Sequence, residues 1–277
     1  MDPHVDGVRL VAVRTPTLPP ATHTNCWLVD GPDGLTVVDP ASPWEDQQLL
    51  LFEALLAEIG AGRTVRRLFL THHHHDHVSG AVDLRDRLAG AGHDVPIAAH
   101  PVTSALVAAR GIAVDEAVAD GEDLGGFVAL HTPGHAPGHL ALHHRTHGWV
   151  VAGDLVAGVG TIVLDPEEGD LQQYLDSLEQ VRALSPSALL PAHGPVLPHA
   201  EAVLSFYVAH RHQRTEQVRA ALDRAGRATP LELAPVVYPD VPTPVHLVAA
   251  AQIRTHLLWL AGHGRAREAG DGSWTPS

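Results

Sequence analysis

A run of seven residues, 71–77, contains five histidines and one aspartate, and it restricts what this chain can fold into more than any other feature. His72, His74, Asp76 and His77 form the pattern His-x-His-x-Asp-His. Imidazole nitrogens are the commonest protein ligands for zinc and similar ions, and an added carboxylate is typical of catalytic rather than structural metal sites. Because the run follows the apolar segment 67–70, we predict a strand that leads into a ligand-bearing loop. The alternative is a solvated histidine tract that binds metal adventitiously.

Four further positions carry a histidine or an aspartate after an apolar run or inside a rigid turn. His135 lies in a segment with two glycines and two prolines, residues 131–139. Asp39, Asp154 and His193 each follow a short apolar run. A single residue of this kind is more often part of a turn than a ligand. The inference therefore depends on the order of these residues along the chain.

With Asp39, the histidine run, His135, Asp154 and His193 in this order, the sequence resembles the metallo-β-lactamase superfamily of metal-dependent hydrolases over about residues 8–200. The resemblance implies an α/β fold, a four-layer αβ/βα sandwich whose site lies along one sheet edge. It also implies two divalent metal ions. Zn²⁺ is the first choice, and Fe or Mn remains open because both tolerate nitrogen and oxygen ligands.

The resemblance also implies a role for each candidate residue. One metal would be bound by His72, His74 and His135, the other by Asp76, His77 and His193, and Asp154 would bridge the two. Asp39 would accept a hydrogen bond from the outer nitrogen of a ligating imidazole, as metal sites commonly require.

Three other histidines near these motifs are not assigned as ligands. His73 and His75 occupy variable positions of the pattern, so we predict exposed loop residues. His139 has two interpretations: it contributes to the site, or it is a strand histidine whose hydrogen bonds are satisfied elsewhere.

Segments beyond Asp154 are similar to the β-lactamase-like protein 2 branch of the superfamily, whose members carry a small C-terminal winged-helix-like domain. The similar segments are residues 158–163, 174–178, 195–196 and 210–214. We therefore predict a catalytic domain over residues 1–212 and a winged-helix-like domain over 213–277. Helices are expected at residues 201–225, 231–237 and 247–260, followed by a glycine-rich hairpin. Near-neutral charge and apolar segments there argue for packing, dimerisation or pocket lining rather than DNA binding.

Local patterns predict the first elements of the sandwich. Residues 10–14, 25–29 and 35–38 have the composition of strands. Ser42 is predicted to cap a helix, with Pro43 at its first position and Glu45 three residues after the cap. Five apolar residues are expected to form the face of this helix that covers a sheet, namely Leu49, Leu50, Phe52, Leu56 and Ile59.

Charge and composition exclude several classes of function. All 18 basic residues are arginine, so neither a Schiff-base lysine nor a phosphate-loop lysine exists. Up to Gln213 the chain has 11 arginines against 26 acidic residues, a balance that disfavours nucleic acid as a partner. No apolar stretch approaches the roughly 20 residues that span a bilayer. Residues 1–6 do not resemble a secretory signal, and a cytoplasmic location is expected. Cys26, the only cysteine, is predicted to be a buried apolar residue.

These inferences together predict a binuclear metal-dependent hydrolase. A metal-bridging hydroxide, available because bound metals lower the pKa of water toward about 7, would attack a carbonyl, and Asp76 would orient this nucleophile or accept its proton. The expected substrate is an ester or thioester, including a lactone, of a small molecule or an acyl carrier. The alternatives are an endoribonuclease acting on single-stranded RNA and a non-catalytic, metal-stabilised interaction module. A homodimer is left open.

Overall fold

A six-stranded mixed sheet dominates the first half of the computed structural model, which describes residues 5–277. Its strands are neighbours in chain order: β1 (Val8–Arg14), β2 (His23–Gly31), β3 (Gly34–Val38), β4 (Val65–Leu70), β5 (Ile97–Ala99) and β6 (Glu116–Ala117). The first three pair antiparallel, and β3 to β6 pair parallel. Parallel pairing requires crossovers, and these are α1 (Glu45–Gly60), the short α2 (His75–Val78), α3 (Ala81–Gly90) and α4 (Pro101–Ala108). The three strands predicted from the sequence are confirmed.

A second sheet of four strands follows. Its strands are β7 (Phe127–His131), β8 (Leu140–His144), β9 (Val150–Gly153) and β10 (Leu189–Pro191), in the spatial order β10-β9-β8-β7. Only β9 and β10 pair parallel, and α5 (Leu171–Ala183) forms the connection between them. The ends of β9 and β10 therefore lie at the same edge of this sheet.

Inner strands such as β3, β5 and β9 are buried on both faces, which explains why they are almost continuously apolar. Val37 and Leu68 pack against the helices outside the first sheet, whereas their neighbours Val38 and Phe69 point inward. The inward residues meet Phe127 and other side chains of the second sheet. The outer face of the second sheet packs on α5 and on the first part of the following helix, α6 (Ala200–Ala225). The order helix, sheet, sheet, helix confirms the predicted four-layer sandwich.

The start and the buried face of α1 differ from the prediction. The helix begins at Glu45 with Trp44 at its cap, and the Ser42 hydroxyl accepts a hydrogen bond from the Trp44 N–H at 3.2 Å, before the first helical residue. Its buried leucines are Leu51 and Leu55, while two residues of the predicted face, Leu50 and Leu56, are 45% and 38% exposed. Apolar residues occur on several sides of this helix, so only the packing decides which side is covered.

The last part of the chain forms a small helical unit with its own core. It contains the second half of α6, α7 (Pro230–Val237), a short 3-10 turn (Thr243–Val245), α8 (His246–Gly262) and the hairpin strands β11 (Ala266–Glu268) and β12 (Trp274–Pro276). Gly226, at φ +69°, follows α6, whose last residue agrees with the predicted helix over residues 201–225. This arrangement confirms the expected winged-helix-like unit. The boundary between residues 212 and 213 stays a prediction, and it falls inside α6.

Two expectations about the cell environment concern particular parts of the chain. Within residues 5–277, no helix combines the length and the apolar composition needed to cross a membrane. The expected lack of a secretory signal depends in part on residues 1–4, which lie outside the described range.

Cys26 is fully buried, and its thiol lies 2.8 Å from the Asp39 carbonyl oxygen. Burial raises the pKa of Cys26 to about 12, so this thiol stays neutral.

Candidate metal centre

The candidate ligands follow strands whose ends meet at one side of the sandwich. β4 ends at Leu70, and the histidine run begins immediately after it. His77 lies in the short helix α2 that this run forms. From the other sheet, Asp154 follows β9 and His193 follows β10 by two residues. Strand order therefore brings residues more than a hundred positions apart to one place.

Three imidazoles form the first group of metal-binding atoms. His74 Nδ1 lies 2.9 Å from His72 Nε2 and 3.0 Å from His135 Nε2. The two Nε2 atoms of His72 and His135 are 3.3 Å apart. Three nitrogens from two separate motifs thus converge on one point.

Asp76, His77 and His193 form the second group. His193 Nε2 lies 3.6 Å from an Asp76 carboxylate oxygen, and His77 Nε2 lies 3.9 Å from the other. Asp154 is situated between the two groups, with one carboxylate oxygen 3.4 Å from His135 Nε2 and the other 3.4 Å from His193 Nε2. The structure brings together all seven residues that the sequence assigned to the metals.

The outer nitrogen of each imidazole contacts an oxygen acceptor. The pairs are His72 Nδ1 with Thr71 Oγ1 at 3.0 Å, His74 Nε2 with Glu168 at 2.6 Å, His77 Nδ1 with Asp39 at 2.8 Å, His135 Nδ1 with the Val163 carbonyl at 2.8 Å and His193 Nδ1 with the His23 carbonyl at 2.9 Å. A neutral imidazole has one N–H, so these hydrogen bonds assign the proton to the outer nitrogen. The inner nitrogens then carry lone pairs that face one another.

This arrangement of lone pairs fits divalent metal ions. Facing lone pairs repel one another, and a cation between them removes the repulsion. In addition, His77 Nε2 and Asp154 Oδ1 are buried without a hydrogen-bond partner, which is costly unless another group satisfies them. Each group offers three donor atoms within 4.8 Å of one another. Three protein donors and an open position are what catalytic metal sites use.

Asp39 holds the histidine run in place through three hydrogen bonds. Its carboxylate accepts the Thr71 N–H and the Thr71 hydroxyl, each at 2.8 Å, in addition to the His77 N–H. Asp39 itself has φ +51°, a conformation that few residues other than glycine, asparagine and aspartate adopt. The structure thus places Asp39 in the predicted position, behind a candidate ligand.

Burial and charge shift the histidine pKa values of the two groups in opposite directions. Burial, followed by repulsion from neighbouring imidazoles, lowers the pKa of His72 well below its ordinary value. Burial also lowers the pKa of His135, to about 4, so both rings are neutral donors at pH 7. Around His77, burial opposes protonation, but Asp154, Asp39 and Asp76 raise its pKa well above the ordinary value. The same carboxylates are the negative charge that a cation at the second group would neutralise.

His139 does not face the candidate metals and instead supports Asp154. Its Nε2 accepts the backbone N–H of Asp154 at 3.1 Å, and its Nδ1 donates to Thr132 Oγ1 at 2.8 Å. A Cβ on Gly153, which has φ +50°, would lie 2.5 Å from His139 Nε2, so this contact requires glycine there. Both sequence interpretations are therefore partly correct, because His139 has satisfied hydrogen bonds and contributes to the site by positioning.

His73 was predicted to be exposed, and that prediction is wrong. Its side chain is buried, and Nε2 lies 2.9 Å from the second carboxylate oxygen of Glu168. Glu168 therefore contacts His73 and His74 together, and these two hydrogen bonds lower its pKa well below the ordinary range. Sequence reasoning missed Glu168, because an acidic residue in a loop 94 positions from His74 carries no recognisable signal. His75 is exposed, as predicted.

Residues 161–168, called the 161–168 segment below, contact the outer side of the first group of histidines. The carbonyl of Val163 accepts the His135 N–H. Next to it, both backbone groups of Leu164 bond to the amide of Gln252 on α8, at 3.2 Å and 2.9 Å. Thr255 donates a further hydrogen bond to the same Leu164 carbonyl at 2.8 Å. The C-terminal unit therefore contacts the backbone that orients a candidate ligand.

Comparison with known proteins agrees with this geometry. The family model described as the metallo-beta-lactamase superfamily matches residues 19–193, and the model of the beta-lactamase associated winged helix domain matches residues 229–274. A Beta-lactamase-like protein 2 homolog of Caenorhabditis elegans is 25% identical over 241 residues, covering 87% of this chain and 79% of that protein. A hydroxyacylglutathione hydrolase of Bdellovibrio bacteriovorus is 29% identical over 127 residues, 44% of this chain and 46% of that protein.

The solved structures show the same fold. The crystal structure of a beta-lactamase domain protein from Burkholderia ambifaria superposes with a TM-score of 0.80 and 24% identity, covering 97% of this chain and 92% of that chain. Because the family model matches more than half of this chain, the chain belongs to the metallo-beta-lactamase superfamily and carries the winged-helix domain associated with it.

Proposed function

We propose that this protein is a binuclear metal-dependent hydrolase that cleaves a carboxylic ester or thioester, including a lactone, of a small molecule or acyl carrier. The observation that carries the proposal is the position of Asp154 between two three-residue donor groups at the bottom of an open cavity. Seven donors around two positions exceed what one structural metal requires, so they favour catalysis over the non-catalytic interaction module.

The proposed ligands divide as the sequence predicted. His72, His74 and His135 would hold one ion, Asp76, His77 and His193 the other, and Asp154 would contact both. Zn²⁺ suits these nitrogen and oxygen donors, and Fe or Mn would also be accepted. Bound there, divalent ions lower the pKa of water and polarise a carbonyl oxygen.

The side chains of the chain itself supply orientation and proton transfer. Asp76 is less buried than Asp154 and lines the cavity, so its carboxylate is the proposed group that orients the attacking water and accepts its proton. Water adds to the acyl carbon, the bond from that carbon to sulfur or oxygen breaks, and the leaving thiol or alcohol takes up a proton. His139 and Glu168 do not contact the substrate in this proposal. They position Asp154 and His74, respectively.

Charge around the cavity supports an acyl substrate over RNA. None of the described residues that line it is an arginine, whereas Asp165 and Glu168 lie on its wall. A nuclease needs cationic contacts to phosphates, and these give binding a steep dependence on salt. One relative bears the name hydroxyacylglutathione hydrolase, which specifies hydrolysis of an acylated thiol. The cytoplasmic location remains a prediction, and a homodimer remains open.

The test compares three variants of the metal-loaded protein on a panel of thioesters, esters and lactones. Asp154→Ala and His135→Ala should lose activity by several orders of magnitude while their circular dichroism remains unchanged. His75→Ala is the matched control, because this exposed residue belongs to the same run but to neither donor group, and it should retain parental turnover. Near-normal turnover in either of the first two variants would refute the assignment. Salt-sensitive binding and cleavage of single-stranded RNA, without acyl hydrolysis, would favour the nuclease.

A further inference from the structure

The cavity above the candidate metal centre is enclosed by parts of the chain that are distant in sequence. It has a volume of about 560 Å³, and His74, Asp76, His135, Asp154 and His193 lie at its inner end. The loop after β1 forms one wall, the loop after Asp154 a second, and the C-terminal unit a third. The volume lies in the range of pockets that hold small-molecule ligands.

Apolar side chains dominate these walls and also surround the opening. Leu18 from the first loop is 57% exposed, and Val159, Val245 and Val248 from the other two walls are exposed by 38–44%. Four aliphatic side chains left partly in water around a single opening differ from isolated surface residues. Such clusters mark binding sites for apolar ligands or partners.

The charged residues of the cavity are all carboxylates. Asp76 and Asp154 lie at its inner end, where the metals would offset their charge, and Asp165 and Glu168 lie on one wall. Glu168 is already paired with His73 and His74, and Asp165 accepts the N–H of Glu167 at 2.9 Å. No cation is present among the lining residues to receive an anionic substrate group, so the walls favour an uncharged apolar one.

We propose that the cavity binds the acyl chain of the substrate and that this chain is aliphatic and uncharged. The inference rests on the proposed acyl hydrolysis and names the substrate class for the same site. Val245 and Val248 of the C-terminal unit close the outer part of the chain-binding region. The winged-helix domain therefore contributes to substrate selectivity.

The test is kcat/KM for N-acetylcysteamine thioesters from acetyl through butyryl and hexanoyl to octanoyl. Each methylene that moves from water into the cavity should raise kcat/KM about fourfold. Succinyl, which adds a carboxylate to a short chain, should be hydrolysed at least about tenfold less efficiently than butyryl, because none of the side chains that line the cavity walls is cationic.

Two variants of α8 test the contribution of the C-terminal unit. Val248→Asp introduces a charge at the cavity wall and should lower the ratio of octanoyl to acetyl kcat/KM by about tenfold or more. Leu247→Asp is the matched control, because Leu247 is 72% exposed and lies outside the lining, and it should leave that ratio unchanged. Equal metal content and thermal midpoints would show that both variants are folded.

The outcomes distinguish this inference from the proposed function. Hydrolysis of all chains with equal efficiency, or equal ratios in the two variants, would overturn the acyl-chain site while leaving acyl hydrolysis in place. Preference for succinyl would overturn it as well. If the fully metal-loaded protein hydrolyses no thioester, ester or lactone, the proposed function fails and the inference fails with it.

Discussion

The contact between Gln252 and Leu164 leads to a test of how the C-terminal unit affects the metal centre. The amide of Gln252 is buried, accepts the Leu164 N–H at 3.2 Å and donates to the Leu164 carbonyl at 2.9 Å. Leucine in place of Gln252 has a similar size but removes both hydrogen bonds. Thr255 still bonds the Leu164 carbonyl, so the Leu164 N–H is the group left without a partner.

The magnitude follows from these contacts. A buried N–H without a partner costs about 1–3 kcal/mol, and the lost bond to the carbonyl contributes about 1 kcal/mol. We expect Gln252→Leu to lower the free energy of unfolding by about 2–4 kcal/mol. The adjacent Val163 carbonyl orients His135, so a shifted 161–168 segment should weaken metal binding at the His72, His74 and His135 group by about 10–100-fold.

The assay is competition between the protein and a chromophoric chelator for Zn²⁺, combined with urea unfolding. Arg254→Ala is the control, because Arg254 pairs with Glu167 of the same segment at the surface, where an ion pair contributes about 0–1 kcal/mol. It should leave both metal affinities unchanged. If Gln252→Leu is destabilised as expected but binds two Zn²⁺ ions with parental affinities, the proposed link from α8 to His135 is wrong.

Three further predictions follow from individual contacts. Glu168→Gln removes the charge next to the outer nitrogen of His74 and should weaken Zn²⁺ binding at the first group about tenfold in the same competition assay, whereas His75→Ala should not. A strong chelator should lower the thermal midpoint of the loaded protein, since ligands at about 100 times their Kd add about 2.7 kcal/mol; an unchanged midpoint would contradict metal binding. The urea midpoint of the metal-free protein should fall as the pH is lowered from about 6.5 to 4. Burial lowers the pKa of His135 to about 4 and the pKa of His139 to about 3, so in this pH range the unfolded chain takes up protons that the folded protein does not. The raised pKa of His77 changes the stability mainly above pH 6.5, so it does not oppose this fall, and a midpoint that stays constant or rises between pH 6.5 and 4 would contradict the prediction.

The local sequence was sufficient to predict the histidine-rich run and the strands that lead to the site. His72, His74, Asp76 and His77 are neighbours in the chain, and their spacing alone indicates a metal site. Strands buried on both faces are continuously apolar, so their positions were also readable. The assignment of His135, Asp154 and His193 to the same site, and the sandwich topology, came from family resemblance, because periodicity does not specify which strands become neighbours.

Apart from Asp39, the residues that support that site were decided by tertiary structure alone. His73 is buried and Glu168 contacts two histidines only because a loop from far along the chain lies against the histidine run. The covered face of α1 was mispredicted for the same reason, since its apolar residues occur on several sides.

The sequence by itself therefore indicated the class of chemistry, through histidine and aspartate donor atoms at a spacing that suits metal ions. The fold decided what surrounds them: the acceptors behind each imidazole, the contact of Gln252 with Leu164 across 88 positions, and the apolar walls of the cavity. Hydrogen-bond partners and burial are properties of long-range packing. A local pattern cannot specify them, because the partner of each group is chosen only when distant segments come together.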